Sequence, residues 1–201
     1  MNPLERRIIE ISYSHKLSHI GSCLTAVGII DKIFKEKLPR DKFVLSCGHA
    51  GLALYVVLEQ YGFNAEDLFT RCGVHPDRLK APEAIDCSTG SLGQGLPIAL
   101  GMALADRART IYCLISDGEA AEGSIYEALN IKRKYKVDNL KVYMNYNGWG
   151  AYDEIRGSFD LPGVTVVNTS EHWFMKDWKQ EAHYRVLTDK DYELINKDYG
   201  T

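Results

Sequence analysis

"TIYCLISDGEAAEGSIYEALNIKRKYKVDNLKVYMNYNGWG", residues 110–150, contains one complete unit of the fold and much of its chemistry. "TIYCLIS" (110–116) is a short apolar run that reads as a buried strand. In "GSIYEALNIKRKYKV" (123–137) the period changes. Ile125, Leu129 and Ile131 form an apolar stripe, and Lys132, Arg133 and Lys134 form a solvated face. "LKVYMN" (140–145) is a strand again. Strand, helix and strand of these lengths make a βαβ unit, whose parallel sheet is covered on both faces.

On either side of this unit, "FVLSC" (43–47) and "VTVVN" (164–168) read as two further strands. "GLALYVVLEQYG" follows the first strand, and "LPIALGMALADRA" precedes the second; both are helical patterns. The expected fold is α/β: a doubly wound, mostly parallel sheet with helices on both faces, built as one domain over residues 1–201. A hydrophobic fraction of 45% over 201 residues suffices for a real core. The net charge of −3 gives no reason to expect nucleic acid or an anionic membrane as partner. No apolar run is long enough to span a bilayer, and "MNPLERRIIEIS" lacks a signal-peptide core, so a cytoplasmic protein is expected. Five cysteines, an odd number with no C-x-x-C, read as reduced thiols rather than as disulfides or a zinc site.

In parallel sheets, ligands bind beyond the carboxyl ends of the strands. "SCGHAG", "SDGEAAEG" and "NYNGWG" all fall at that edge. Asp117 and Asn147 end successive strands and offer a carboxylate and an amide oxygen. Both are hard donors suited to Mg²⁺, which shares its shell with phosphate oxygens, and the Trp149 carbonyl can add a third protein oxygen. Gly118 permits close approach of a phosphate. The helix beginning near Glu119 points its positive end the same way, and Glu119 reads as a helix N-terminal charge. In "STGSLGQGLPIALGMALA" (88–105), Gly90, Gly93 and Gly95 make a tight loop, with Pro97 in a first helical turn. It is no Walker motif, since no G-K-[ST] follows.

Together, "SHKLSHIGSCLTAVGIID", "DKFVLSCGHAGLALYVVLEQYG", "VHPDR", "STGSLGQGLPIALGMALA" and "SDGEAAEGSIYEAL…NYNGWG" resemble the amino-terminal, diphosphate-binding domain of the transketolase family, in the family's order over residues 5–152. "FMKDWKQEAHYRVLTDKDYELI" resembles the end of that domain in the short, split-subunit members. The resemblance implies thiamine diphosphate and Mg²⁺ as cofactors. It assigns Asp117, Asn147 and the Trp149 carbonyl to the metal, and His49 and Gly118 to the diphosphate. Gly90 and Leu92 are assigned to the aminopyrimidine end, and Glu122 to a subunit interface beside the cofactor. His19, His75 and His183 would surround the reacting carbon and handle protons of sugar hydroxyls, a role that suits imidazole. His15 and His172 match nothing in the family and read as surface residues.

In the family, a second, pyrimidine-binding domain carries the glutamate that activates the cofactor. No such domain is legible before Thr201, which implies a separately encoded pyrimidine-binding partner, an α₂β₂ assembly, and no turnover by this chain alone. The implied reaction moves a two-carbon ketol unit between small sugars or sugar phosphates. Decarboxylating acyl transfer from a 2-oxo acid is the alternative on the same cofactor. A non-catalytic binding protein on this fold and, more distantly, a Mg²⁺-dependent phosphohydrolase are the rivals. Two departures from the family stand out. Ser116 replaces a glycine before the Asp-Gly pair. After Asn147, "AYDEIRGSFDLPGVTVVN" is short where members carry a long loop, a helix and a further strand. The sheet is therefore expected to be shortened near the C-terminus, and the loss favours a specialised sugar over ordinary pentose phosphates.

Overall fold

The apolar runs form β1 (Lys42–Leu45), β2 (Ile111–Ser116), β3 (Leu140–Tyr146) and β4 (Val164–Asn168). They make one sheet in the order β1-β2-β3-β4, and every pair is parallel. The computed structural model describes residues 1–155 and 161–199.

Period-two alternation assigns each side chain to a layer. Phe43, Leu45 and Leu114 enter one apolar cluster, while Val44, Cys113, Ile115, Val142 and Met144 enter the other. The first cluster is closed by α1 (Pro3–Ser14), α2 (Ile20–Glu36), α3 (Gly51–Glu59), α4 (Ala65–Cys72), α7 (Trp173–Trp178) and α8 (Asp189–Tyr199). The second is closed by α5 (Gly95–Ala105) and α6 (Gly123–Lys134). Helices thus cover both faces, as the βαβ pattern requires. Each fully buried Ile or Leu of the inner strands contributes ~2 kcal/mol through its removal from water.

Local signals set the helix ends. Asn2 and Glu5 form a reciprocal capping box before α1, with Pro3 in its first turn. Asn64 accepts the Asp67 amide at 2.8 Å to begin α4. His172 is half-buried rather than a surface residue. It accepts the Phe174 amide at 3.3 Å, caps α7, and lies 3.5 Å from Glu5. His15 stays partly exposed, beside Glu66.

The edge strand β4 differs from the others. Val164 and Val167 pack inward, but Thr165, Val166 and Asn168 are exposed. Among the described residues, no helix lies between β3 and β4, and β4 is more exposed than the inner strands on both faces, through Thr165 on one and Val166 on the other. This agrees with the shortening expected after Asn147; residues 156–160 of that section lie outside the described residues. All five cysteines are free, and Cys23, Cys47, Cys87 and Cys113 are buried. Burial pushes the Cys23 thiol up to about 12 and raises Cys47 and Cys113 well above the ordinary thiol value, so these thiols stay protonated and unreactive. Among the described residues, no helix is long and apolar enough to cross a membrane.

Candidate active site

The parallel strands place their carboxyl ends along one edge, and a cavity of about 240 Å³ opens there. It is lined by Asp117 and Gly118 after β2, by Asn147 and Trp149 after β3, and by His49 after β1. The loop before α5 adds Gly90 and Leu92, and His19, His75 and His183 complete the wall. Residues spread over more than 160 positions are thus brought together. Glu122 is not among them: it is exposed at the N-terminus of α6, where its side chain packs beside Gly93.

Asp117 is completely buried. One carboxylate oxygen accepts the Gly118 amide at 3.0 Å, and the other accepts the Gly148 amide at 2.7 Å. No Lys or Arg bonds to it among the described residues. Burial raises its pKa from 3.8 to about 6, against the opposing backbone bonds. This is a buried acid without a counter-charge, in a position where a divalent cation supplies one. Asn147, also buried, accepts the Trp149 amide at 3.0 Å through its side-chain oxygen. Among the described residues, no three His, Cys, Asp or Glu side chains could hold a metal between them. A cation here would therefore draw on amide, carbonyl and ligand oxygens, which is the donor set Mg²⁺ accepts.

Gly118 bears on the fit of a phosphate. A Cβ placed there would lie 3.9 Å from Gly150 Cα and Ser116 Oγ, its nearest protein neighbours. Its backbone is ordinary, with φ −60°. Nothing in the protein's own packing requires a glycine, so the space beside it is free for a ligand. The glycines of "STGSLGQG" have a different reason. A Cβ at Gly93 would stand 2.6 Å from Ser124 Oγ, and Gly93 has φ +77°. At Gly95 a Cβ would stand 2.5 Å from Ser46 Cα. These two are needed for close packing of the loop itself.

Three side-chain contacts pin that loop to β1, α6 and the turn after β2. The Thr89 hydroxyl donates to the Leu45 carbonyl at 2.6 Å, and the Ser124 hydroxyl donates to the Gly93 carbonyl at 2.8 Å. Glu119 provides the third hold, contrary to the role expected for it. Its carboxylate does not serve a helix N-terminus. It is fully buried, accepting the Ser46 hydroxyl at 2.6 Å, the Gly93 amide at 2.9 Å and the Ser116 amide at 3.0 Å. Three buried donors converge there and need an acceptor, which overrides the local helix preference. Ser116 Oγ in turn accepts the Glu119 amide at 3.2 Å, so this hydroxyl has a partner of its own. Sequence reasoning also missed Asn145. Its side chain donates to Thr25 Oγ1 at 2.9 Å and accepts from Thr169 Oγ1 at 2.6 Å, fixing α2 against the sheet. A polar Asn inside an apolar strand was the available signal.

The histidines form one cluster. His19 sits immediately before α2 in a left-handed conformation, φ 59°, and its ring centre lies 5.4 Å from that of His49. His75 is exposed at the rim, packed so close to Gly90 that a Cβ there would lie 3.1 Å from its ring. Burial lowers His49 to about 3, and the neighbouring imidazoles add repulsion. Burial lowers His183 to about 4, opposed by its bond to the Trp149 carbonyl. His19 is lowered by burial and by His75. The rings of His19, His49 and His183 are neutral at pH 7, able to donate at one nitrogen and accept at the other.

Comparison with known proteins bears on this geometry. Residues 30–183 match the family described as transketolase, thiamine diphosphate binding domain. The chain is 36% identical over 163 residues to one named subunit of the apulose-4-phosphate transketolase of Phocaeicola vulgatus, covering 71% of this chain and 57% of that protein. It is 37% identical over 172 residues to the transketolase of Homo sapiens, covering 76% of this chain and 28% of that one. A crystal structure of a transketolase mutant from Pichia Stipitis superposes with a TM-score of 0.65 at 23% identity, covering 80% of this chain and 30% of that chain. The chain thus spans just over half of the first of these relatives and under a third of the others. With its parallel sheet, its glycine-pinned loop and its acid–amide pair at one strand edge, the chain belongs to the transketolase thiamine diphosphate-binding domain family.

Proposed function

We propose that this chain is the diphosphate-binding subunit of a split, Mg²⁺-dependent transketolase-like enzyme. It works with a separately encoded pyrimidine-binding chain in an α₂β₂ assembly and moves a two-carbon ketol unit from a ketose to an aldehyde acceptor. The observation that carries the reading is the pairing of Asp117 with Gly118: a buried carboxylate without a cationic partner, beside a glycine whose side-chain space no protein atom fills. Support for a partner comes from the Phocaeicola vulgatus relative, which is itself named as one subunit of its enzyme and of which this chain spans little more than half. The exposed β4 supports a specialised sugar as substrate, because it gives the substrate funnel less wall than the family's usual section would.

Asp117, Asn147 and the Trp149 carbonyl hold the cation in this reading, and His49 and the Gly118 backbone meet the diphosphate. Gly90 and Leu92 face the aminopyrimidine end. Thiamine diphosphate supplies, when bound, a nucleophilic carbon that protein side chains do not have. His19 and His75, neighbours at the cavity mouth, bind and orient the sugar and move protons at its hydroxyl oxygens. The neutral His19 imidazole can accept such a proton. The burial of Asp117 and Asn147 keeps water from competing for the cation.

Mixing the purified chain with the product of a neighbouring pyrimidine-binding gene, thiamine diphosphate and Mg²⁺ gives ketol transfer, and leaving out either chain abolishes it. Full-rate transfer by this chain alone would defeat the split assembly. Gly118→Ala separates ligand from fold. A Cβ there meets no protein atom closer than 3.9 Å, so the melting temperature holds or rises slightly. The diphosphate, by contrast, loses its space, and cofactor affinity falls by about tenfold or more. Unchanged affinity would show that the phosphate lies elsewhere.

A further inference from the structure

The turn Lys179–His183 and the following Tyr184 close on the loop after β3 by an unusual route. Three of their side chains end on backbone carbonyls of that one loop. His183 Nε2 lies 3.1 Å from the Trp149 carbonyl. Gln180 Nε2 donates to the Ala151 carbonyl at 3.3 Å, and the Tyr184 hydroxyl donates to the same oxygen. The His183 carbonyl, for its part, accepts the His19 amide at 2.8 Å and helps hold the left-handed residue at the start of α2.

The partners of His183 determine its tautomer. A carbonyl only accepts, so Nε2 carries the proton. In the neutral ring Nδ1 is then the acceptor, and it takes the Ser22 hydroxyl at 2.9 Å. Both ring nitrogens are committed to the protein, in a side chain that is 7% exposed. A group that carries protons to and from a sugar needs a nitrogen that can reach it. Within the loop, Trp149 packs against the first apolar cluster, but the residues beyond Gly150 have little such cover. The loop closes on itself through Gly150 N to Asp153 O at 2.9 Å and Ile155 N to Gly148 O at 2.8 Å, and Ala151 to Glu154 are exposed.

We infer that His183 is a positioning residue and not a proton carrier. With Tyr184 and Gln180 it clasps the carbonyls of Trp149 and Ala151, and so presets the loop that carries the third cation oxygen. The inference rests on the proposed function for the role of the Trp149 carbonyl. That oxygen has two lone pairs, so the His183 N–H on one leaves the other for a cation. The clasp also joins the cation loop to His19, so that the two ends of the site are set by one turn of the C-terminal segment.

Three variants test this: His183→Ala, His183→Gln, whose amide nitrogen reaches where Nε2 stood, and Tyr184→Phe at an exposed position that tolerates change. Hydrogen exchange of the Gly148–Ile155 amides, read on the chain without cofactor, accelerates about tenfold or more in His183→Ala and Tyr184→Phe. His183→Gln brings it back to within about threefold of wild type. Thiamine diphosphate affinity in Mg²⁺, measured with the partner chain present, follows the same order. Turnover of cofactor-saturated His183→Gln falls by less than about tenfold, whereas loss of a true general base costs about a hundredfold or more. The inference is overturned if His183→Gln binds cofactor normally yet loses turnover on that larger scale. It is equally overturned if loop exchange is indifferent to both His183→Ala and Tyr184→Phe. Failure of the wild-type pair to bind thiamine diphosphate would remove the proposed function instead, and the exchange measurements would still decide whether the clasp exists.

Discussion

Asp117→Ala, titrated calorimetrically with thiamine diphosphate and Mg²⁺ in the presence of the proposed partner chain, binds about a hundredfold more weakly than wild type or worse. Removing one member of a buried, charge-paired contact costs on the order of 3–5 kcal/mol, since the other charge is left uncompensated. Asn147→Ala removes a neutral donor and has a smaller effect, about tenfold. The same titration carries a pH signature. The cation needs the ionised carboxylate, and the folded, cation-free pKa of Asp117 is about 6. Below that value a proton competes, so wild-type affinity drops by about tenfold per pH unit, and proton release accompanies binding. Without the cation, the raised pKa has the opposite sign for stability: this group's favourable contribution is fully present below 3.8 and is lost as the pH rises to about 6. Added Mg²⁺ with the diphosphate restores it. Affinity that is flat from pH 5 to 7 on a scale of about twofold would contradict a site built on this acid.

Glu119→Ala destabilises the fold by about 3–5 kcal/mol, read as a drop in denaturant midpoint at constant slope. The buried carboxylate is the acceptor for the Ser46 hydroxyl and for the Gly93 and Ser116 amides. Its loss leaves all three donors unsatisfied between the ends of β1 and β2 and the glycine loop. Glu119→Gln keeps one oxygen but turns an amide N–H₂ toward a donor, and so costs about 1–3 kcal/mol. Both variants also loosen the loop that bears Gly90 and Leu92, so cofactor affinity falls along with stability. A Glu119→Ala protein as stable as wild type would mean that the three contacts do not hold the loop.

Much of this architecture is legible in the sequence because it is local and periodic. The runs at 43–47, 110–116, 140–145 and 164–168 each become a strand, and the stripe on α6 faces the sheet through Ile125 and Leu129, though its third member, Ile131, is exposed. The acid–amide spacing from Asp117 to Asn147 is legible for a related reason: one βαβ unit carries both residues to the same edge. Other features depend on partners distant in sequence. Glu119 looks like a helix-start charge until Ser46 and Gly93, both more than twenty residues before it, arrive as donors. The resemblance assigns His183 a proton-handling role, but its ring contacts, Ser22 and Trp149, are set by tertiary packing alone. His172 gave no sign that it would cap a helix and face Glu5 near the other end of the chain. The exposure of the edge strand β4 was not legible either, because the valines of "VTVVN" read as an ordinary buried strand.

The proposed function stands or falls on one divalent ion, held by Asp117, Asn147 and the Trp149 carbonyl, that anchors the diphosphate at the carboxyl edge of the sheet. Anomalous diffraction from crystals of this chain with its pyrimidine-binding partner, grown with Mn²⁺ and thiamine diphosphate, reads the ion's position without inference. One anomalous peak is expected, within coordination distance of those three oxygens and of two phosphate oxygens. A diphosphate bound with its ion elsewhere, or no cofactor in the cleft despite a correctly assembled partner, would contradict it.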